Sequence, residues 1–170
     1  MHDIKIPKER VGVLVGKNGE VKRLIEKKTE TKLIIDKEGD IVINGEGVNV
    51  YNANIIIKSI GRGFNPSIAL NLLKDDINME IINIKDFSGK SRKKLERIRA
   101  RIIGTGGKCR QAIERITNTD IVVYGKTVSI IGKIDNTNVA RAGVEILLRG
   151  APHSNAYKYL EREIGKLNSV

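Results

Sequence analysis

The sequence predicts an α+β fold made twice: two tandem domains, each a three-stranded sheet backed by helices in the order β-α-α-β-β-α. Three observations carry this. The chain has 170 residues, 40% of them apolar, enough for one large or two small cores. A Gly-x-x-Gly turn occurs at 16–19 and again at 104–107, inside matching patterns of apolar and polar residues. Around each turn, the hydrophobic period passes from 3.6 to 2 and back in the same order.

The duplication is read residue by residue. With Val15-Gly16-Lys17-Asn18-Gly19 placed over Ile103-Gly104-Thr105-Gly106-Gly107, Ile25-Glu26 meets Ile113-Glu114, Thr29 meets Thr117 and Thr31 meets Thr119. Leu33 and Ile35 meet Ile121 and Val123. After one deletion, Ile43-Asn44-Gly45 meets Ile130-Ile131-Gly132, Ala53 meets Ala140 and Arg62-Gly63 meets Arg149-Gly150. A single such turn among 17 glycines carries no weight. Two in matching surroundings do, and their spacing exceeds a solenoid unit, so they mark duplicated domains. The expected boundaries are 1–63 for the first domain, 64–77 for a linker with a short helix, 78–150 for the second domain and 151–170 for a helical extension.

In the first copy, Ile4 and Ile6 alternate as a strand stopped by Pro7. Residues 8–15 read as a short helix ended by Gly16, and 20–28 as a second one with Val21, Leu24 and Ile25 on one face. Strands follow at 32–35 and 40–43 around Lys37-Glu38-Gly39, then a closing helix at 50–60. The second copy gives a strand at 80–85, helices at 91–103 and 108–117, strands at 121–124 and 127–131 around Gly125, and a helix at 136–148. Residues 66–73 form the linker helix. A terminal helix at 155–167 aligns Tyr157, Leu160, Ile164 and Leu167.

Charge separates the copies. The chain carries 31 Lys+Arg against 20 Asp+Glu, a formal charge of +11. Residues 1–63 hold 12 basic and 9 acidic side chains, whereas residues 78–150 hold 15 and 7. Between Ser88 and Arg110, Lys90, Arg92, Lys93, Lys94, Arg97, Arg99, Arg101, Lys108 and Arg110 face one acid, Glu96. Such a stretch repels itself unless a polyanion lies nearby, and nucleic acid is the polyanion that rewards it through counterion release. A membrane surface fits less well, because no bulky apolar face accompanies the charge. No run of 18 apolar residues exists to span a bilayer, and Met1-His2-Asp3-Ile4-Lys5 does not open like a signal peptide, so a cytoplasmic protein with no membrane partner is expected. One cysteine, Cys109, and two histidines, His2 and His153, support neither a disulfide framework nor a metal cage. No cofactor and no metal are expected. Cys109 lies near a helix N-terminus among cations, conditions that lower a thiol pKa, but it has no partner base and reads as a small helix residue.

Other phosphate and RNA motifs fail on spacing or composition. Gly12 and Gly16-Lys17-Asn18 miss the P-loop spacing, and Gly107-Lys108-Cys109 lacks its first glycine and hydroxyl. Gly61-Arg62-Gly63-Phe64 faintly resembles a strand of the RNA-recognition motif, but six aromatic residues cannot supply that fold's stacking platform.

The order strand-helix-GxxG-helix-strand-strand-helix, twice over, resembles the KH RNA-binding domain. The 15 residues before Gly16 suit type I, with the third helix after the strands. Glycines let the backbone approach a sugar-phosphate chain, and the next helix adds N–H donors and a positive dipole end. The resemblance implies that each loop clamps about four single-stranded nucleotides, with the bases on an aliphatic groove. Candidate RNA-binding residues in the first copy are Gly16, Lys17, Asn18, Gly19, Lys22, Arg23, Leu33 and Ile35, with Leu14, Val15 and Leu24 as further groove candidates. In the second they are Lys93, Arg97, Arg101, Gly104, Thr105, Gly106, Gly107, Lys108, Arg110, Ile121 and Val123, with Ile102, Ile103 and Ala112. Core packing is the plainer role for the apolar members. Lys17 puts a cation at the first loop's tip; the second has none there and relies on Lys108, Arg110 and the preceding basic helix.

Gly61-Arg62-Gly63-Phe64-Asn65-Pro66 with Ala69-Leu70 and Leu72-Leu73, and the ending Gly150-Ala151-Pro152-His153-Ser154-Asn155-Ala156-Tyr157, make the whole chain similar to the archaeal form of the partner-of-Nob (Dim-two) family of small-subunit ribosome assembly factors. That resemblance implies single-stranded RNA binding near the 3′ end of (pre-)16S rRNA, contact with the Nob endonuclease, and association with the alpha subunit of translation initiation factor two. In eukaryotic members the first copy has generally lost its loop; here Gly16-Lys17-Asn18-Gly19 is intact. Thr105 stands where the family often has a basic residue. The expected function is therefore non-catalytic RNA binding. A docking scaffold is the alternative, and no carboxylate pair or histidine dyad supports an enzyme.

Overall fold

The computed structural model describes residues 1–169 and divides into two compact units, Met1–Asp75 and the remainder from Asp76. The first unit contains β1 (His2–Lys5), α1 (Val11–Val15), α2 (Glu20–Thr29), β2 (Lys32–Ile35), β3 (Asp40–Asn44), α3 (Gly47–Gly61) and α4 (Pro66–Ala69). Single 3-10 turns precede α1 at Lys8–Arg10 and follow α4 at Leu70–Leu73. The second contains β4 (Ile77–Asn83), α5 (Lys85–Ser88), α6 (Arg92–Ile103), α7 (Lys108–Thr117), β5 (Asp120–Tyr124), β6 (Thr127–Lys133), α8 (Ile134–Leu148) and α9 (His153–Asn168). No helix among the described residues is long and apolar enough to cross a membrane.

Both sheets have three antiparallel strands in matching order, β1-β3-β2 and β4-β6-β5, so β2 and β5 are edge strands. Leu33 pairs with Ile43 and Ile121 with Ile130, which places each strand's apolar row toward the helices. The first core gathers Leu14, Ile25, Leu33, Ile43, Ile56 and Ile60; the second gathers Ile82, Ile102, Ile113, Ile121, Ile130 and Val144. Residues 64–73 belong to the first unit: Phe64 is fully buried, and Ala69, Leu70 and Leu73 pack on that core. Helix α9 lies on the second core through Ala156 and Leu160. Gly143 lets it come close, since a Cβ there would stand 2.8 Å from Leu160 Cγ.

The strand expected at 80–85 is displaced. It runs from Ile77 to Asn83, whose side-chain oxygen then accepts the Lys85 N–H at 3.0 Å and turns the chain into α5. Helices α3 and α8 start two to three residues before the positions that apolar periodicity marks, because their first residues, Gly47-Val48 and Ile134-Asp135, are exposed and add nothing to the core-facing pattern.

The residues that reveal the duplication mostly hold this frame. Thr29 and Thr117 each donate to the carbonyl four residues back, at 2.7 Å, and bond Thr31 and Thr119. A Cβ on Gly45 or Gly132 would meet the methyl of Thr31 or Thr119 at 3.0 and 2.9 Å, which explains small residues there. Glu26 and Glu114 accept the N–H of Leu33 and Ile121, both at 2.8 Å, pinning the edge strands to α2 and α7.

Candidate nucleic-acid interface

Each unit presents the same construction: a helix, a glycine turn, a second helix, and the edge strand lying alongside. The two turns have nearly the same backbone. Gly16 and Gly104 sit at φ/ψ of 74/177° and 75/172°, Asn18 and Gly106 at 54/27° and 61/23°, Gly19 and Gly107 at 78/13° and 77/11°. The first position is open to glycine alone. A Cβ on Gly16 would lie 2.9 Å from Val21 N, and one on Gly104 would lie 2.7 Å from both N and Cβ of Cys109. The turn is thus folded hard against the next helix, while Lys17, Asn18, Thr105 and Gly106 remain exposed at its tip. Asn18 takes the left-handed conformation for which asparagine is the best substitute for glycine.

Charge around the two turns differs. Glu20 occupies the first turn of α2 and meets its positive dipole end, whereas α7 starts with Lys108 and has no acid in its first turn. The field at the second turn is therefore the more attractive to an anion. Arg23 folds back and donates to the Asn18 carbonyl at 2.7 Å, bracing the first turn. Lys22 stands 3.9 Å from Glu26, and Arg110 pairs with Glu114, so these two acids each have a cation beside them.

The candidate residues separate into three environments. Lys17, Arg23, Lys93, Arg97, Thr105, Gly106 and Lys108 are exposed; Lys22, Arg110, Ile35, Val123, Val15, Ile103 and Ala112 are half-buried along the groove. Leu14, Leu33, Ile102 and Ile121, expected as groove contacts, are instead closed off in the core, at most 3% exposed, because their side chains face the helices they pack against. Leu24 is 39% exposed.

Arg101 has a different engagement. Its guanidinium donates to the carbonyls of Leu147 and Ala151, capping the end of α8, while its own carbonyl meets the His153 ring at 3.1 Å. In the first unit Arg10 does the same from another helical position, donating to Ile60 and Phe64 carbonyls at 2.8 Å. Composition alone could not reveal these struts, because the two arginines do not align in the repeat.

Cys109 is a small buried residue of α7, as expected, and its place near the helix start does not activate the thiol. Its thiol is buried, and burial raises its pKa despite the Tyr157 contact and the Arg101 charge. It pins α7 to α9 and is not poised for chemistry. Burial and the Cys109 contact in turn push the Tyr157 phenol up to about 12.

Two such frames in one chain define the class: a tandem KH-domain protein. Residues 78–164 match the family model described as eukaryotic type KH-domain (KH-domain type I), and residues 1–59 match the KH domain model. A KH domain-containing protein of Methanocaldococcus jannaschii is 46% identical over 169 residues, covering 96% of this chain and 74% of that one. The crystal structure of Dim2p from Pyrococcus horikoshii aligns with TM-score 0.87 at 42% identity, covering 95% and 98% of the two chains. A chain of the a/eIF2alpha–aDim2p–rRNA complex of the same organism aligns at 0.89 and 42%, covering 97% and 94%. A protein of unknown function from Aeropyrum pernix aligns at 0.92 and 34%, covering 99% and 92%. The chain belongs to the KH-domain family, within its partner-of-Nob (Dim-two) branch.

Proposed function

We propose that the chain is a non-catalytic factor of small ribosomal subunit assembly that binds single-stranded RNA near the 3′ end of (pre-)16S rRNA. The observation that carries this reading is the second turn. Its tip is exposed, its following helix begins without an acid, and the basic helix α6 leads directly into it. The crystal structure of a similar chain with rRNA supports it. Lys17, Asn18, Thr105 and Gly106 would set peptide N–H groups against the strand, while Gly16, Gly19, Gly104 and Gly107, whose own N–H groups are bonded within the protein, keep the turn free of side chains so that the strand can approach. Lys93, Arg97, Lys108 and Arg110 draw it in, and half-buried Ile35 and Val123 carry bases. Held there, the RNA is presented to a Nob-type endonuclease, and the alpha subunit of translation initiation factor two is the second protein partner. The presence of a/eIF2alpha beside the similar chain favours that partnership.

The test is fluorescence anisotropy with a single-stranded oligonucleotide from the 16S rRNA 3′ region. Thr105→Asp with Gly106→Asp should weaken binding while leaving the circular dichroism intact; unchanged affinity removes the second turn from the reading. Lys17→Asp with Asn18→Asp asks the same of the first turn. If both variants bind RNA normally but no longer bind the initiation-factor subunit, the chain is a docking scaffold instead.

A further inference from the structure

Between its first strand and its glycine turn the second unit contains ten residues that the first lacks. In both, an isoleucine after the first strand donates its N–H to the strand-joining turn: Ile6 to Gly39 O at 2.9 Å, Ile84 to Lys126 O at 2.8 Å. From there the chain reaches the turn's first glycine in 10 residues in the first unit and 20 in the second. The additional stretch forms α5 and lengthens α6 at its N-terminal end. It walls an open cleft of about 490 Å³ together with the Gly125-Lys126 turn.

Five cations line this cleft: Lys85, Lys90, Arg92, Arg99 and Lys126. The acid beside them, Glu96, stands 4.0 Å from Arg92, with both side chains exposed to water. Among the described residues no carboxylate pairs with Lys85, Lys90, Arg99 or Lys126. Arg99 Nε is buried without a hydrogen-bond partner. Lys126 lies against Lys85, and that contact, the Lys85 charge and the field of Arg92 hold it below the ordinary ammonium range. The corresponding place in the first unit is charge-balanced. There Lys8 pairs with Glu38 and Lys5 with Asp40, both at 3.4 Å, and Asp36 accepts the N–H groups of Glu38 and Asp40.

Five cations crowded around one acid are unfavourable in the free protein, and a bound polyanion reverses the sign of that interaction. We propose that this cleft is a second phosphate-binding site, holding the RNA backbone where the strand leaves the groove beside the 104–107 turn. The inference rests on the RNA-binding reading above and extends the footprint of one unit only. Helix α6 connects the two places: Arg99 precedes Gly104 by five residues, about 7.5 Å along the axis. Leu95 supplies a half-buried apolar floor within the cleft. A strand with a charge at every nucleotide and a stackable base fits this combination better than an acidic peptide does.

The experiment uses the full chain and two fluorescein-labelled RNAs from the 16S rRNA 3′ region, one of about six nucleotides and one of about fourteen. Lys85→Gln, Lys90→Gln and Lys126→Gln are combined; all three side chains are exposed, so the fold is retained. Three lost phosphate contacts reduce the salt slope of the longer RNA by about 2 and its affinity about a hundredfold at 0.1 M salt. Binding of the shorter RNA stays within about twofold of wild type. An unchanged salt slope for the longer RNA overturns the site, as does an equal loss with the shorter one. Retained RNA binding with lost binding of a polyglutamate peptide also overturns it, in favour of an acidic protein ligand. The Thr105→Asp, Gly106→Asp variant separates the two readings. If it loses both RNAs while the triple variant behaves as wild type, the cleft proposal fails alone; if it keeps both while the triple variant loses the longer one, the cleft stands and the turn fails.

Discussion

Replacing Gly104 by alanine tests whether the turn is held by backbone geometry. At φ/ψ of 75/172° a Cβ is strained by about 1–3 kcal/mol, and here it would also stand 2.7 Å from the backbone nitrogen of Cys109. A backbone atom at a helix start cannot swing aside, so relief requires moving the first turn of α7, an overpacking cost of about 1–3 kcal/mol. The sum, about 4 kcal/mol, is a large share of a domain's stability and should lower the unfolding temperature of the second unit by about 20 °C. Gly106→Ala is the internal control. Its φ is 61°, but nothing lies within 4 Å of the new Cβ, so about 1–2 kcal/mol is lost. Three of the four tyrosines, Tyr124, Tyr157 and Tyr159, lie in the second unit, so near-ultraviolet circular dichroism during heating reports on it. If Gly104→Ala melts within about 3 °C of wild type, or if Gly106→Ala is the more damaging, the assignment of the turn's shape to its contact with Cys109 is wrong.

Arg101→Met should destabilise the second unit by about 2 kcal/mol in denaturant titration, since two carbonyls at the end of α8 lose a charged donor. The same variant separates strut from ligand: as a strut Arg101 leaves the salt slope of RNA binding unchanged, whereas a phosphate contact would lower it by about 0.7. Alkaline pH should loosen α9. The fold raises the Tyr157 pKa from 10 to about 12, so its stabilisation is complete below pH 10 and is lost as pH rises toward 12. Burial also raises Cys109, which adds to the loss at high pH. Tyr157→Phe should remove the tyrosine part of this dependence, seen as a flatter stability profile between about pH 10 and 12 in chemical unfolding.

Much of the frame was legible because its signals are local. Apolar spacing of 3.6 marks α2 and α7, and α7 runs over the expected residues, Lys108–Thr117. Alternation marks β2, found at Lys32–Ile35 as expected. Where the signal was not local, the reading missed. Lys85 looked like the end of a strand, yet an Asn83 side chain turns the chain there and starts a helix, which brings Lys85 beside Lys126, 41 residues later. Apolar groove candidates could not be sorted by sequence either, because a strand's alternation tells which face a side chain is on but not how deep it lies. Leu33 and Ile35 share one face of β2, but the first is sealed in the core and the second half-open.

What the sequence determined by itself is the duplication, the order of elements and the excess of positive charge on the second copy. These follow from residue type and spacing along one strand of chain, and no distant contact is needed to read them. Tertiary structure decided which charges are available and which are committed. Arg101 and Arg99 are two residues apart on the same helix, yet one caps the end of α8 and the other lines a cleft of five cations and one acid. A helix advances about 100° per residue, so neighbours in sequence face different partners, and only the packed unit shows what each partner is.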